Sequence, residues 1–242
     1  MFYMVRLLAA ISLCFCMFSC GDEAYDYDVI FKLEYEGEPL VMLDEYEYPD
    51  RQKIKFTRFS VYISDITISD GIDIQKVKDI DFLNLTDSHS SIESSRTGYR
   101  LNLENIDIND PTQLEFGLGL NPMQNASIPA DYSGDHPLAK PGEYWIGWGS
   151  YIFFKIEGIM DSTGDGDTDT NIALHIGSDD MLRSTSVSLS DDDGEREITI
   201  DLLDIFIDDG NIYDIKSDPQ IHSLNQISQA SFLIDNLQKQ IK

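Results

Sequence analysis

The sequence of 242 residues predicts an all-β domain, an antiparallel sandwich or barrel of about eight to nine strands with an amphipathic helix at its C-terminal end. Three observations carry that reading. Apolar Val29, Phe31, Leu33 and Tyr35 alternate with Ile30, Lys32, Glu34 and Glu36, the period-two signature of a half-buried strand. Further apolar runs are separated by turn-rich stretches such as Ser69-Asp70-Gly71 and Asp191-Asp192-Asp193-Gly194, with no helix between them. Helical spacing enters only at the end, where Leu224, Ile227, Ser231, Ile234, Leu237 and Ile241 fall on one face.

Taken in order, residues 1–19 place one positive charge, Arg6, before an apolar run from Leu7 to Ser19 and read as a signal peptide. That run is shorter than the roughly 18–20 residues of a membrane span. The small residue before Cys20 gives a lipoprotein cleavage site, with Cys20 lipidated and the body held to a membrane of the bacterial cell envelope. With Cys14 and Cys16 in the removed segment, the mature chain has no thiol for a disulfide, a nucleophile or a metal. Residues 20–27 form an acidic tether and 28–242 the domain. Beyond the strand at 29–36, strands are expected at 56–68, 77–85, 99–106, 114–120, 144–156, 171–176, 185–189 and 197–203, and the helix at 222–241. Two long loops interrupt them: a Ser-rich one at 87–98, with His89 in solvent, and a Pro-rich one at 121–142.

Lys and Arg number 17 against 44 Asp and Glu, a formal net charge of −27. That balance argues against nucleic acid, whose phosphates need clustered cations, and against charge-driven docking to anionic lipid. The chain has no nucleophile elbow, phosphate-cradling glycine loop or paired-histidine zinc motif, so a binding protein is expected rather than an enzyme.

The scarce ligand is imidazole, at His89, His136, His175 and His222. In a chain without thiols, imidazole is the group that selects copper, zinc or iron over calcium. Both tryptophans lie in Tyr144-Trp145-Ile146-Gly147-Trp148-Gly149-Ser150-Tyr151. As one extended strand, this segment sends Ile146 and Trp148 to the core and Trp145 to the opposite face beside Gly147, Gly149 and Lys155. His175 points away from Ile172, Leu174 and Ile176. Asp161, Asp165, Asp167 and Asp169 alternate as calcium loops do, without completing an EF-hand. They leave open a second reading, an acidic module that binds glycan or protein with a calcium-ordered loop.

Several ordered segments resemble the MbnP-like copper-binding proteins. They are Phe59-Ser-Val-Tyr62-Ile63-Ser64-Asp65-Ile66, Leu114-Glu-Phe116-Gly117-Leu-Gly119-Leu-Asn121 and His136-Pro137-Leu-Ala. There follow Trp145-Ile-Gly-Trp148-Gly-Ser-Tyr151-Ile-Phe153 with Glu157-Gly158, His175-Ile-Gly177-Ser178, and the late His222-Ser223. The resemblance implies a copper-binding β domain that is not an enzyme. It further implies that histidines and a tryptophan oxidised to kynurenine by a separate dihaem enzyme hold the metal. Carried onto this chain, the ligands are His136 and His175, with Trp145 or Trp148 as the modified residue and His222 as a substitute for one histidine. The chain departs from the family where a cysteine often follows the His-Ile-Gly-Ser piece, having Asp179-Asp180-Met181 there.

Overall fold

The computed structural model describes residues 24–189 and 194–241. The signal segment, Cys20 and the turn at 191–193 lie outside the described residues. The first half of the chain forms β1 (Tyr25–Tyr35), β2 (Glu38–Pro39), β3 (Tyr46–Glu47), β4 (Lys53–Ser69), β5 (Ile74–Asn84), β6 (Tyr99–Ile106) and β7 (Gln113–Leu118). The second half forms β8 (Tyr144–Trp145), β9 (Ser150–Met160), β10 (Thr170–Gly177), β11 (Arg183–Ser188), β12 (Glu195–Asp201), β13 (Ile207–Asp208), β14 (Asn211–Ile212) and β15 (Gln220–Ile221), and ends in the helix Ile227–Gln240. The all-β expectation holds.

Two sheets enclose the core. In the smaller one β1 is flanked by β12 on one side and by β6 and β2 on the other. The larger runs β11-β7-β4-β9-β10-β15, with β3 and β5 also on β4 and β8 on β9. Ser60 and Val61 pair at once with Asn84 and Leu83 of β5 and with Lys155 and Phe154 of β9. Farther on, Ile63 pairs with Asp81 and with Leu118 of β7. One edge of β4 therefore belongs to β5, while β9 and then β7 share the other, and the sheet forks and curls.

The pattern inside β4 shows how sequence sets this shape. Its core residues run Ile54, Phe56, then Phe59, Val61, Ile63, then Ile66, Ile68, all buried. A strict strand would keep one parity. Both shifts of parity coincide with register breaks, between Phe56 and Arg58 against β9 and between Ser64 and Thr67 against β7, where Asp65 takes a positive φ of 51°. A bulge inserts one residue and returns the apolar set to the core side. Phe31 meets Phe116 edge-on across the two sheets at 6.5 Å, and within the larger sheet Phe59 of β4 meets Phe154 of β9 at 5.4 Å. Burying each such side chain contributes about 1.5–3 kcal/mol.

Several expectations change. Two pairings are parallel, β1 with β12 and β10 with β15. The strand at 197–203 stops at Asp201, whose carboxylate caps the short helix Leu202–Ile205 through the Leu203 amide. The Ser-rich loop is ordered by the helix Ile92–Thr97, capped reciprocally by Ser91 and Ser94. His89 is fully buried beside it. Its Nε2 accepts from the Leu33 amide at 2.8 Å and its Nδ1 lies 2.8 Å from the Leu85 carbonyl. The terminal helix begins five residues later than expected, after β15 and a 3-10 turn at Leu224–Gln226. Leu233, Ile234 and Leu237 on its inner face are buried in the common core.

The Pro-rich loop is not free either. It lies across the outer face of the larger sheet, where the Tyr62 hydroxyl donates to the Pro137 carbonyl and the Tyr151 hydroxyl to the Leu138 carbonyl. That loop leads directly into β8, which carries Trp145.

Candidate metal centre

The segment at 144–156 is a hairpin rather than one strand. Tyr144 pairs with Tyr151 and Trp145 with Ser150, and the four residues between them turn. Two amides, those of Trp148 and Gly149, donate to the Trp145 carbonyl at 3.1 and 3.0 Å, closing the loop. Gly149 sits at φ 63°, a left-handed position that glycine takes at no steric cost. At Gly147 a Cβ would stand 2.8 Å from the Trp145 indole nitrogen, so this glycine leaves the ring its space. The turn changes which way the tryptophans face. Ile146, expected in the core, is 89% exposed, and the two indoles, expected on opposite faces, lie 5.5 Å apart.

Four rings converge at this corner. Trp145 stacks on His222 at 4.9 Å and 26° and meets His175 edge-on at 6.0 Å. The two imidazole centroids are 4.9 Å apart. The two indoles share one hairpin, and the two imidazoles come from separate parts of the chain. His175 projects from β10 on the face opposite Leu174, as its place in the alternation predicts. His222 follows β15, whose Gln220 and Ile221 pair in parallel with Ala173 and Leu174 and so bring it alongside His175. The His222 amide donates to the Gln226 side chain at 3.0 Å, and its carbonyl accepts from the Trp148 indole at 3.1 Å.

The decisive feature is what the ring nitrogens do. His175 Nε2 lies 2.8 Å from Glu157 Oε1, whereas its Nδ1 is buried with no partner. His222 Nε2 is likewise buried and unpartnered. A buried polar atom without a partner costs roughly 1–3 kcal/mol, so two in one corner call for an explanation. Burial, and secondarily the neighbouring His175, lowers the pKa of His222, which favours the neutral ring that can offer a lone pair. Among the described residues no cluster of three or more His, Cys, Asp or Glu is arranged around a metal position. A metal in this corner would take two imidazoles and a third donor of another kind.

Behind the imidazoles lies a group of charges that the sequence motifs do not single out. Lys155 and Glu143 are buried, with Lys155 Nζ 2.9 Å from Glu143 Oε2 and donating to the Gly142 carbonyl at 3.0 Å. Arg58 pairs with the other oxygen of Glu143. Glu157 is held below the ordinary carboxylate range, first by its hydrogen bond from His175 and then by Lys155. The sequence signal is Lys155 itself, a cation inside the apolar run from Tyr151 to Ile156. The pairs of Glu143 fasten the base of the Trp145 hairpin to β9, which carries Glu157, and to β4.

His136 does not join the corner. Its ring stacks on Tyr132 at 4.2 Å and 12°, and its Nδ1 accepts from the Leu138 amide at 3.1 Å. The aspartate loop also differs from expectation. Asp161 accepts from the amides of Gly164 and Gly166, both at 2.7 Å, and from Thr163 at 3.2 Å. Asp169 accepts from the amide and hydroxyl of Ser162, and Asp165 from the Asp167 amide. Asp161, Asp165 and Asp169 thus close their own hairpin loop, with Asp167 taking part through its amide, and the calcium reading gains no support from it.

The MbnP family model matches residues 25–223, a stretch that takes in both tryptophans and ends one residue after His222. Among solved structures, MbnP from Methylosinus trichosporium matches with a TM-score of 0.53 at 13% identity, over 79% of this chain and 80% of that one. At that identity the likeness is one of fold. No curated protein sequence matches the chain.

Proposed function

The chain belongs to the MbnP family, a copper-associated family, and on that premise we propose that it binds copper between His175 and His222, with Trp145 as the source of the third ligand. The observation that carries this reading is the pair of buried, unpartnered imidazole nitrogens beside Trp145. Imidazole suits copper, and two such donors leave the low coordination number that copper(I) accepts. An intact indole offers only an N–H donor. Ring opening of Trp145 to kynurenine would supply an amine nitrogen at the same place. Trp148 instead spends its N–H on the His222 carbonyl and positions that segment. His136 is left out of the ligand set, because its ring is already stacked and hydrogen-bonded elsewhere.

The protein acts in this reading as a copper carrier in copper acquisition or handling, not as an enzyme. Cys20 anchors it by lipid to the bacterial outer membrane, on the periplasmic or outer side, and a dihaem enzyme modifies the tryptophan. Copper analysis of protein purified from its own host tests the proposal. About one copper per chain is expected for the wild type and for His136→Ala, and little for His175→Ala or His222→Ala with the fold retained. Full copper in both of the last two variants overturns it. Peptide mass spectrometry over residues 143–158 reads whether Trp145 has been opened.

A further inference from the structure

Resting on that copper reading, we propose that Glu157 is the positioning residue of the centre: it holds the His175 proton on Nε2, so that the metal is met by Nδ1 of His175 and Nε2 of His222. Strand register sets the geometry. Ala173 stands opposite Glu157 and His175 opposite Lys155, which puts the Glu157 carboxylate diagonally beside the imidazole. The Nε2–Oε1 distance is 2.8 Å. An ionised carboxylate can only accept, so the hydrogen in that bond belongs to Nε2. In the neutral ring the lone pair then lies on Nδ1, the atom that is buried without a partner. The two imidazoles therefore present different nitrogens.

The surrounding charges keep Glu157 in this role. Arg58 stands opposite it on β4 and Lys155 lies two residues away on its own strand. Both cations are also tied to the buried Glu143. A carboxylate behind a ligating histidine fixes the ring's tautomer and orientation and raises the basicity of the donor nitrogen. Loss of such a partner typically weakens metal binding about 10–100-fold.

The tautomer is read in the metal-free wild type by long-range proton–nitrogen NMR. His175 is expected to show a protonated Nε2 and a bare Nδ1, and a protonated Nδ1 overturns the assignment. Silver(I), a diamagnetic stand-in for copper(I), is expected to shift His175 Nδ1 and His222 Nε2. A shift at His175 Nε2 instead also overturns it. Glu157→Leu is expected to mix the tautomers and weaken silver and copper(I) binding about 10–100-fold, with Glu157→Gln, which still offers an accepting oxygen, recovering most of the loss. Wild-type affinity in folded Glu157→Leu, together with copper lost in His175→Ala, defeats the positioning role and spares the copper reading. An Nε2–H tautomer with copper retained in both histidine variants defeats the copper reading and the positioning role with it, and leaves only the tautomer assignment standing.

Discussion

His89 and His175 are buried and His222 is half-buried with its Nε2 inside, yet His89 and the pair sit in opposite states. His89 spends both ring nitrogens on the fold, Nε2 on the Leu33 amide and Nδ1 on the Leu85 carbonyl. It stitches β1 to the segment after β5 and has nothing left to offer a ligand. At the Trp145 corner each imidazole keeps one nitrogen back. Burial alone does not separate a structural histidine from a binding one; what separates them is whether the donors are already spent. The aspartate loop teaches the same lesson in oxygen, since Asp161 and Asp169 spend carboxylate oxygens on the loop's own backbone amides.

The largest effect expected from this contrast is on stability. His89→Ala strands the Leu33 amide and opens a cavity, and should cost about 2–4 kcal/mol in chemical denaturation while leaving copper binding intact. His222→Ala should cost less than about 1 kcal/mol and abolish copper binding, because it removes a group the fold does not use. Equal losses from the two variants would erase the distinction. Next in size is Gly177→Ala, where a new Cβ would run into the Tyr151 carbonyl and press on the Trp148 ring at 3.3 Å. It is expected to cost about 1–3 kcal/mol and weaken copper as well, coupling fold and site.

Acid sharpens the contrast further. Burial lowers the pKa of His89 in the folded state, against the hydrogen bond to Leu85 that raises it. The unfolded chain therefore takes up a proton that the folded chain refuses. Stability should fall as pH drops below about 6.5 toward the depressed folded value, with a slope from this group of at most about 1.4 kcal/mol per pH unit. His89→Gln should flatten that limb in denaturation curves taken between pH 7 and 5, and an unchanged slope would remove His89 as its source. The smallest effect belongs to the aspartate loop. Asp161→Ala should lower the melting temperature by about 2–4 °C. Millimolar calcium should move the wild type by less than about 1 °C, since Asp161 and Asp169 already accept from the loop's own groups.

Much of the architecture is legible because period-two alternation survives in the strands that face the core, and β6 at Tyr99–Ile106 has the boundaries read from sequence. The failures have physical causes. Glycine in an aromatic run serves a bulge or a turn equally well, and at Gly149 the turn prevails, which reverses the assignment of Trp148 and Ile146. His89 reads as solvated because its Ser-rich setting masks a capping box that folds Ser91 and Ser94 into a helix end over it. Parity alone places His175 on the correct face. The meeting of His175 with His222 depends on a parallel bridge of two residues, Gln220 and Ile221, too short to leave a periodic signal. The copper proposal draws only on family resemblance, because two histidines far apart in sequence carry no spacing rule. Glu157 and the buried Glu143–Lys155 pair are visible only as charges in or beside a largely apolar strand.

That short bridge has a consequence for how the protein comes into being. Positions 145, 175 and 222 meet only by closing long stretches of chain, a step that follows the making of local hairpins. A nascent or unfolded polypeptide therefore contains no ready-made chelator, and its imidazoles stay scattered until the last segment docks. On the proposed copper reading, metal capture would wait until folding is finished, and the cargo would be loaded by the completed fold rather than by the emerging chain.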